Sequence, residues 1–85
     1  MTMINQELRK AGLKITLPRI KILELLENAE DHHMSAEEVY KALIEQGEDV
    51  GLATVYRVLT QFEQAGIVER HNFENNHSVF EIMQE

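Results

Sequence analysis

The chain of 85 residues has no cysteine, no tryptophan and a single proline, and sets only eight Lys and Arg against fifteen Asp and Glu. Without thiols neither a disulfide framework nor a thiolate-ligated zinc site can form, so helix and sheet packing must carry the stability and disulfide-stapled extracellular folds are excluded. No segment approaches the roughly 18 continuous apolar residues of a membrane span, and Met1-Thr2-Met3-Ile4-Asn5-Gln6-Glu7 lacks the basic start and apolar run of a signal peptide. The expected location is the cytoplasm. Also missing are a Ser-His-Asp order, a phosphate-cradling glycine loop and an evident buried carboxylate pair, so nothing marks an enzyme. A 44% hydrophobic content fits one small domain with a modest core and room for one function, of the binding kind.

The shortage of positive charge argues against a nucleic-acid partner, because the usual footprint of such a partner is basic. The distribution weakens that objection. Residues 1–21 hold Arg9, Lys10, Lys14, Arg19 and Lys21 against Glu7 alone, a balance of +4, while the remaining three cations face fourteen carboxylates, a balance of −11. Phosphate responds to potential within about a Debye length, roughly 8 Å at physiological salt, rather than to the whole-molecule sum. The acidic remainder should still weaken non-specific binding and shift the burden to directed contacts.

What is present reads as helices followed by a hairpin. The pattern predicts a helix at about 5–11 stopped by Gly12, then a linker Leu13-Lys14-Ile15 and a second helix at about 17–28, with Thr16 as N-cap and Pro18 in its first turn. Ile20, Ile22, Leu23, Leu25 and Leu26 give it a wide apolar face. Ser35-Ala36-Glu37-Glu38 is a capping box opening a third helix at about 36–46, with Ala36, Val39, Tyr40, Leu43 and Ile44 on its core face. A short turn at Glu48-Asp49-Val50-Gly51 leads into a fourth helix at about 52–65, which makes a helix-turn-helix unit. The period then changes from 3.6 to 2. Strands at about 67–73 and 78–83 flank the turn-prone Glu74-Asn75-Asn76-His77. The fold class is mostly α with a small β-hairpin, α+β: a winged helix-turn-helix in one domain.

The fourth helix carries the most specific signal. At about 100° per residue, Leu52, Val55, Val58, Leu59, Phe62 and Gly66 gather on one side and Ala53, Arg57, Thr60, Gln61 and Gln64 on the other, with Tyr56 at the boundary. The outward side holds Arg57 and no carboxylate of its own. Small side chains in the first turn, followed by an aromatic and an arginine, suit close approach to a DNA major groove, where Arg forks onto guanine. An ordinary amphipathic surface helix fits the same pattern. On residues alone His33 reads as a loop histidine and Glu81 as the polar face of a strand, while His71 and His77 read as surface or phosphate-proximal residues.

Ala11-Gly12-Leu13-Lys14-Ile15-Thr16-Leu17-Pro18-Arg19, His32-His33-Met34-Ser35-Ala36-Glu37, Gly51-Leu52-Ala53-Thr54-Val55-Tyr56-Arg57-Val58-Leu59 and Gly66-Ile67-Val68-Glu69-Arg70-His71-Asn72-Phe73 closely resemble the amino-terminal domain of the ferric uptake regulator family. The resemblance covers nearly the whole chain, with its motifs in order; the Thr-Val-Tyr-Arg segment alone is shared with the family's zinc, manganese, nickel and peroxide sensors. It implies a metal-dependent transcriptional repressor that binds AT-rich inverted repeats of double-stranded DNA as a homodimer, with Fe(II) as effector and, in many members, Zn(II) held by cysteine pairs. It implies that Tyr56 packs on thymine methyl groups, that Arg57 reads guanine or clamps the backbone, and that Lys14 enters the adjacent minor groove. Arg19, Thr54 and Arg70 are weaker candidates for phosphate contacts, and Ala53 lies in the close-approach turn.

His33 and Glu81 match the family positions that donate ligands to the regulatory metal. Two ligands make a partial site, since a divalent metal generally takes four to six. The resemblance also implies a second domain, with the dimer interface and a His-rich stretch, beyond Gln84-Glu85. The expectation for these 85 residues is therefore a DNA-binding half that holds no metal by itself and is monomeric or weakly self-associating. The alternatives are a winged-helix protein-interaction module, motivated by the acidic balance of residues 22–85, and the DNA-binding domain of a related zinc, manganese or peroxide sensor.

Overall fold

The computed structural model describes residues 3–73 and 77–83. Four helices come first, α1 (Met3–Lys10), α2 (Leu17–Asn28), α3 (Ala36–Glu45) and α4 (Leu52–Gln64), and the strands are β1 (His33–Met34), β2 (Val68–Phe73) and β3 (His77–Ile82). A short 3-10 turn, Glu30–His32, joins α2 to β1. The sheet is antiparallel throughout in the order β1-β3-β2, with β3 central.

Each boundary has a local cause. Gly12, at φ 78°, ends α1 in a backbone conformation that costs other L-residues about 1–2 kcal/mol. The Leu13 amide then donates to the Leu8 carbonyl at 2.9 Å and the Gly12 amide to that of Arg9 at 3.0 Å. That turn delivers residues 13–16 as a linker in which Leu13 and Ile15 pack against the core while Lys14 and Thr16 are exposed. Thr16 caps α2, its hydroxyl accepting from the Arg19 amide, and Pro18 sits in the first turn. Ser35 caps α3 reciprocally: its hydroxyl accepts from the Glu38 amide at 3.1 Å and its own amide donates to the Glu38 carboxylate at 2.9 Å.

The core gathers Leu8 of α1, Ile22, Leu23 and Leu26 of α2, Val39 and Leu43 of α3, Val55, Leu59 and Phe62 of α4, and Val68 and Phe80 of the sheet. α2 lies at its centre, touching α1, α3, α4 and the sheet. At the end of α4, Gly66 at φ 81° lets the Ile67 amide reach back to the Phe62 carbonyl at 2.9 Å, and this tight reversal lays the hairpin beside the helix.

The expected winged helix is present, its hairpin formed by β2 and β3, with differences of detail. A third strand joins the hairpin: His33–Met34 pairs with the free edge of β3, in register His33 with Glu81 and Met34 with Phe80. Two residues are too few to show an alternation, so this strand leaves no periodic trace in the sequence. Ile44, expected on the core face of α3, is 50% exposed, because Ala36, Val39 and Leu43 fill the contact with the other helices and the apolar arc extends past it. α1 begins at Met3 rather than Asn5. Of the expected turn, residues 74–76 lie outside the described residues and His77 belongs to β3.

Two stability predictions arise from this architecture. Replacing Ser35 by Ala removes one buried partner of the capping box and should lower unfolding free energy by about 1 kcal/mol, read as a lower urea midpoint at unchanged m-value. The second concerns Glu27 of α2, whose carboxyl is raised to about 7 by desolvation, then by a hydrogen bond to and repulsion from Glu7 of α1, with Glu24 adding and His32 opposing. A carboxyl with a folded pKa above its unfolded value binds more protons folded than unfolded, so it favours folding at low pH and loses that contribution as pH rises through about 7. Stability should therefore fall between pH 5 and pH 8, and Glu27→Gln should flatten that part of the curve in paired urea titrations.

Candidate nucleic-acid interface

α4 turns Val55, Val58, Leu59 and Phe62 into the core. Its other flank leaves Ala53, Tyr56 and Arg57 exposed, with Thr54, Thr60 and Gln61 half-buried. Gly51, the N-cap, contributes no side-chain bond to the first turn. Lys14 stands exposed on the α1–α2 linker. Among the described residues Arg9, Lys10, Lys14 and Arg57 form no ion pair within the chain, whereas Lys21 pairs with Glu48 at 3.8 Å. Part of the basic N-terminal segment thus remains available to an anion.

Tyr56 is more exposed than a boundary residue, at 39%, and its phenol donates to the Glu37 carboxylate of α3 at 2.7 Å. The hydrogen bond from Tyr56 is the main reason the Glu37 carboxyl sits below its ordinary range, and the same bond holds the Tyr56 phenol above its usual value. α4's own acid on this flank, Glu63, lies two turns beyond Tyr56 and is paired with Arg70, and the fold brings a second acid to the margin from the preceding helix. Glu37 was invisible as a neighbour in the sequence because nineteen positions separate it from Tyr56.

The other arginines of the candidate set are engaged within the fold. Arg19 donates through one terminal nitrogen to the Lys14 carbonyl at 2.9 Å and through the other to Gln61 Oε1 at 2.8 Å. Arg70 of β2 pairs with Glu63 at 3.1 Å, reaches the Thr60 hydroxyl at 3.4 Å and lies over the Phe80 ring with its guanidinium carbon 4.9 Å from the centroid. Arg70 thereby braces the wing against α4, and its buried Nε has no hydrogen-bond partner among the described residues. Arg57 and Lys14 project into solvent; Arg19 and Arg70 are tied down.

His33 and Glu81, the two metal candidates, are direct neighbours across β1 and β3. Both lie on the outward face of the sheet, beside an open hollow of about 730 Å³ that Glu69, His71, Phe73 and Met83 also line. His71 Nε2 is 2.8 Å from Glu81 Oε1, which moves His71 from a surface or phosphate-proximal reading to the side of the metal candidates. Alternation along β2 puts Glu69, His71 and Phe73 on one face, but only the strand register reveals that this face is Glu81's. The donors are imidazole and carboxylate, a set that suits a divalent first-row metal. Among the described residues no group of three or more His, Cys, Asp and Glu is placed to hold an ion by itself, so the pair fits one side of a site.

Comparison with known proteins agrees with this geometry. The family model described as the ferric uptake regulator family matches residues 10–85. The chain is 74% identical over 78 residues to the ferric uptake regulation protein of Pseudomonas aeruginosa, covering 92% of this chain and 58% of that relative. It is 64% identical over 85 residues to that of Escherichia coli strain K12, covering 100% of this chain and 57% of the relative. It therefore spans less than two thirds of the length of these relatives. A solved structure of the ferric uptake regulator from Pseudomonas aeruginosa with manganese superposes at TM-score 0.90 and 69% identity, over 99% of this chain and 63% of that one. A winged helix with this identity along nearly its whole length leaves one assignment: the chain belongs to the ferric uptake regulator family.

Proposed function

We propose that the chain is the operator-reading domain of an iron-responsive transcriptional repressor. It binds double-stranded DNA with α4 in the major groove and Lys14 in the adjacent minor groove, at AT-rich inverted repeats spanned by a homodimer of a longer protein. One observation carries the reading: α4 buries Val55, Val58, Leu59 and Phe62 and presents Ala53, Tyr56 and Arg57 to solvent, while its own carboxylate, Glu63, is paired with Arg70. A major groove admits a helix of this kind, Ala53 permits close approach, and Arg57 is free to fork onto guanine N7 and O6. Lys14 suits a narrow A·T minor groove, whose negative potential attracts cations. Thr54 supplies a hydroxyl for phosphate beside the uncapped first turn of α4, where helix amides favour anions.

The acids serve discrimination in this reading. Glu37 beside Tyr56 repels phosphate, so indiscriminate backbone binding is weakened and affinity depends on base contacts. Its carboxylate also restrains the Tyr56 ring, which packs on thymine methyls. No bond is made or broken in this function. His33 and Glu81 would hold one side of a regulatory metal, with Fe(II) as the proposed effector and Zn(II) as a second metal of the longer protein; the metal would supply a cross-link between this sheet face and donors elsewhere in that protein.

The test is binding of the chain to an AT-rich inverted-repeat duplex across a salt series. Log affinity should fall linearly with log salt, and a salt-independent affinity rejects the reading. Arg57→Ala should cost about 1 to 3 kcal/mol and relax preference at a single base position in a panel of substituted duplexes; an unchanged profile assigns Arg57 no role. A second measurement isolates the Tyr56–Glu37 contact. In a phenolate absorbance titration Tyr56, identified by its loss in Tyr56→Phe, should ionise above its ordinary value, and Glu37→Gln should bring it back down, since the phenol's hydrogen bond to the Glu37 carboxylate and, behind it, the repulsion of a second negative charge both favour the protonated form.

A further inference from the structure

Arg19 contacts two parts of the molecule that the proposed function assigns to two different grooves. One terminal nitrogen holds the Lys14 carbonyl, in the linker; the other holds Gln61 Oε1, on the half-buried flank of α4. The bonds are 2.9 and 2.8 Å long and both donors belong to one rigid planar group, so the spacing between the two acceptors is set by the guanidinium itself. Arg19 is in turn seated by α2, where its amide donates to the Thr16 cap. The linker needs such a tie. Lys14 is the exposed residue between the inward-packed Leu13 and Ile15, and its side chain forms no ion pair among the described residues.

We infer that Arg19 is a positioning residue for DNA recognition: its guanidinium locks the Lys14 backbone to Gln61 of α4 and so fixes the register between the minor-groove and major-groove readers. This rests on the proposed function and changes the part Arg19 plays in it, from a phosphate contact to a brace. Preorganisation of this kind raises affinity by removing the ordering cost that a free linker would incur on binding. A lysine at position 19 preserves the charge but carries a single ammonium on a flexible stem, and it cannot hold two acceptors at a set spacing.

The experiment uses the 85-residue chain with two operator duplexes that differ only in whether the flanking minor-groove position is A·T or G·C. Affinity and its salt slope are measured for the parent, Arg19→Lys, Arg19→Ala, Gln61→Ala, Lys14→Ala and the Gln61→Ala, Lys14→Ala pair. Arg19→Lys and Gln61→Ala should each weaken binding to the A·T duplex by about tenfold, equivalent to roughly 1.4 kcal/mol, and affect the G·C duplex much less, with the parent's salt slope retained. In the Lys14→Ala background Gln61→Ala should add less than about twofold, because the brace then has nothing to position. Amide hydrogen exchange at Ile15, in the peptide whose carbonyl Arg19 holds, should accelerate in free Arg19→Lys while the urea midpoint stays near the parent's.

Three outcomes overturn the inference: Arg19→Lys binding like the parent, equal losses on both duplexes, or the same Gln61→Ala loss with and without the Lys14 side chain. A salt slope that falls by about one for Arg19→Ala, with Gln61→Ala silent, returns Arg19 to a direct phosphate contact. A parent that binds neither duplex overturns the proposed function together with this inference, whereas a binding parent matched by its variants overturns this inference alone.

Discussion

Val55, Val58, Leu59 and Phe62 are buried on a single stripe of α4, and the orientation of the whole DNA-reading face depends on that burial. Fully burying side chains of this size stabilises by roughly 1.5 to 3 kcal/mol each, or roughly 6 to 12 kcal/mol for the stripe, against a net stability for small domains of about 5 to 15 kcal/mol. Rolling α4 by one residue, about 100°, would expose much of the stripe and consume most of that margin. Ala53 and Arg57 face outward because the folded state has no other helix orientation available to it. The hairpin is held to the same geometry, since the Gly66 reversal and the Glu63–Arg70 pair attach it to the helix that it flanks.

Charge is organised by the fold as much as by the sequence. A net charge of −7 would suggest a poor polyanion partner, yet pairing within the chain consumes charges selectively. Lys21 meets Glu48 and Arg70 meets Glu63, while Lys14 and Arg57 are left toward solvent. These surface pairs contribute little stability, typically under about 1 kcal/mol each. Their effect is to decide which cations remain for phosphate and which become fixtures. Glu37 at the edge of the reading face, bonded to Tyr56, works in the opposite direction by weakening attraction to backbone in general.

The parts legible in the sequence were those with local causes. Gly12, Thr16 with Pro18, and the Ser35–Glu38 box each act over four residues or fewer, so the helix ends they set could be read directly. The stripe of α4 was legible because helical period is a local property. Contacts across the chain were not: Tyr56 with Glu37, Arg19 with Gln61 and His71 with Glu81 depend on how elements dock, and no spacing encodes them. For that reason the sequence offers Arg19 and Arg70 as weaker candidates for phosphate contacts without showing what they hold within the fold, Lys14 and Gln61 for the one and Glu63 and Thr60 for the other. The His33–Met34 strand was missed for a different reason, since a two-residue strand exists only through its partner β3.

That strand matters because β3 joins the two faces of interest. Glu81, on the outward face, lies beside His33 and 2.8 Å from His71, while Phe80, one residue earlier, is fully buried beneath the Arg70 guanidinium. Arg70 is bonded in turn to Glu63 and Thr60 of α4. A single peptide bond therefore separates the candidate metal ligand from the chain of contacts that seats the wing on the DNA-reading helix. The path runs through one buried aromatic ring and one half-exposed guanidinium. Phe80 with Arg70 is where the strand that carries Glu81 and the contacts that seat the wing on α4 meet.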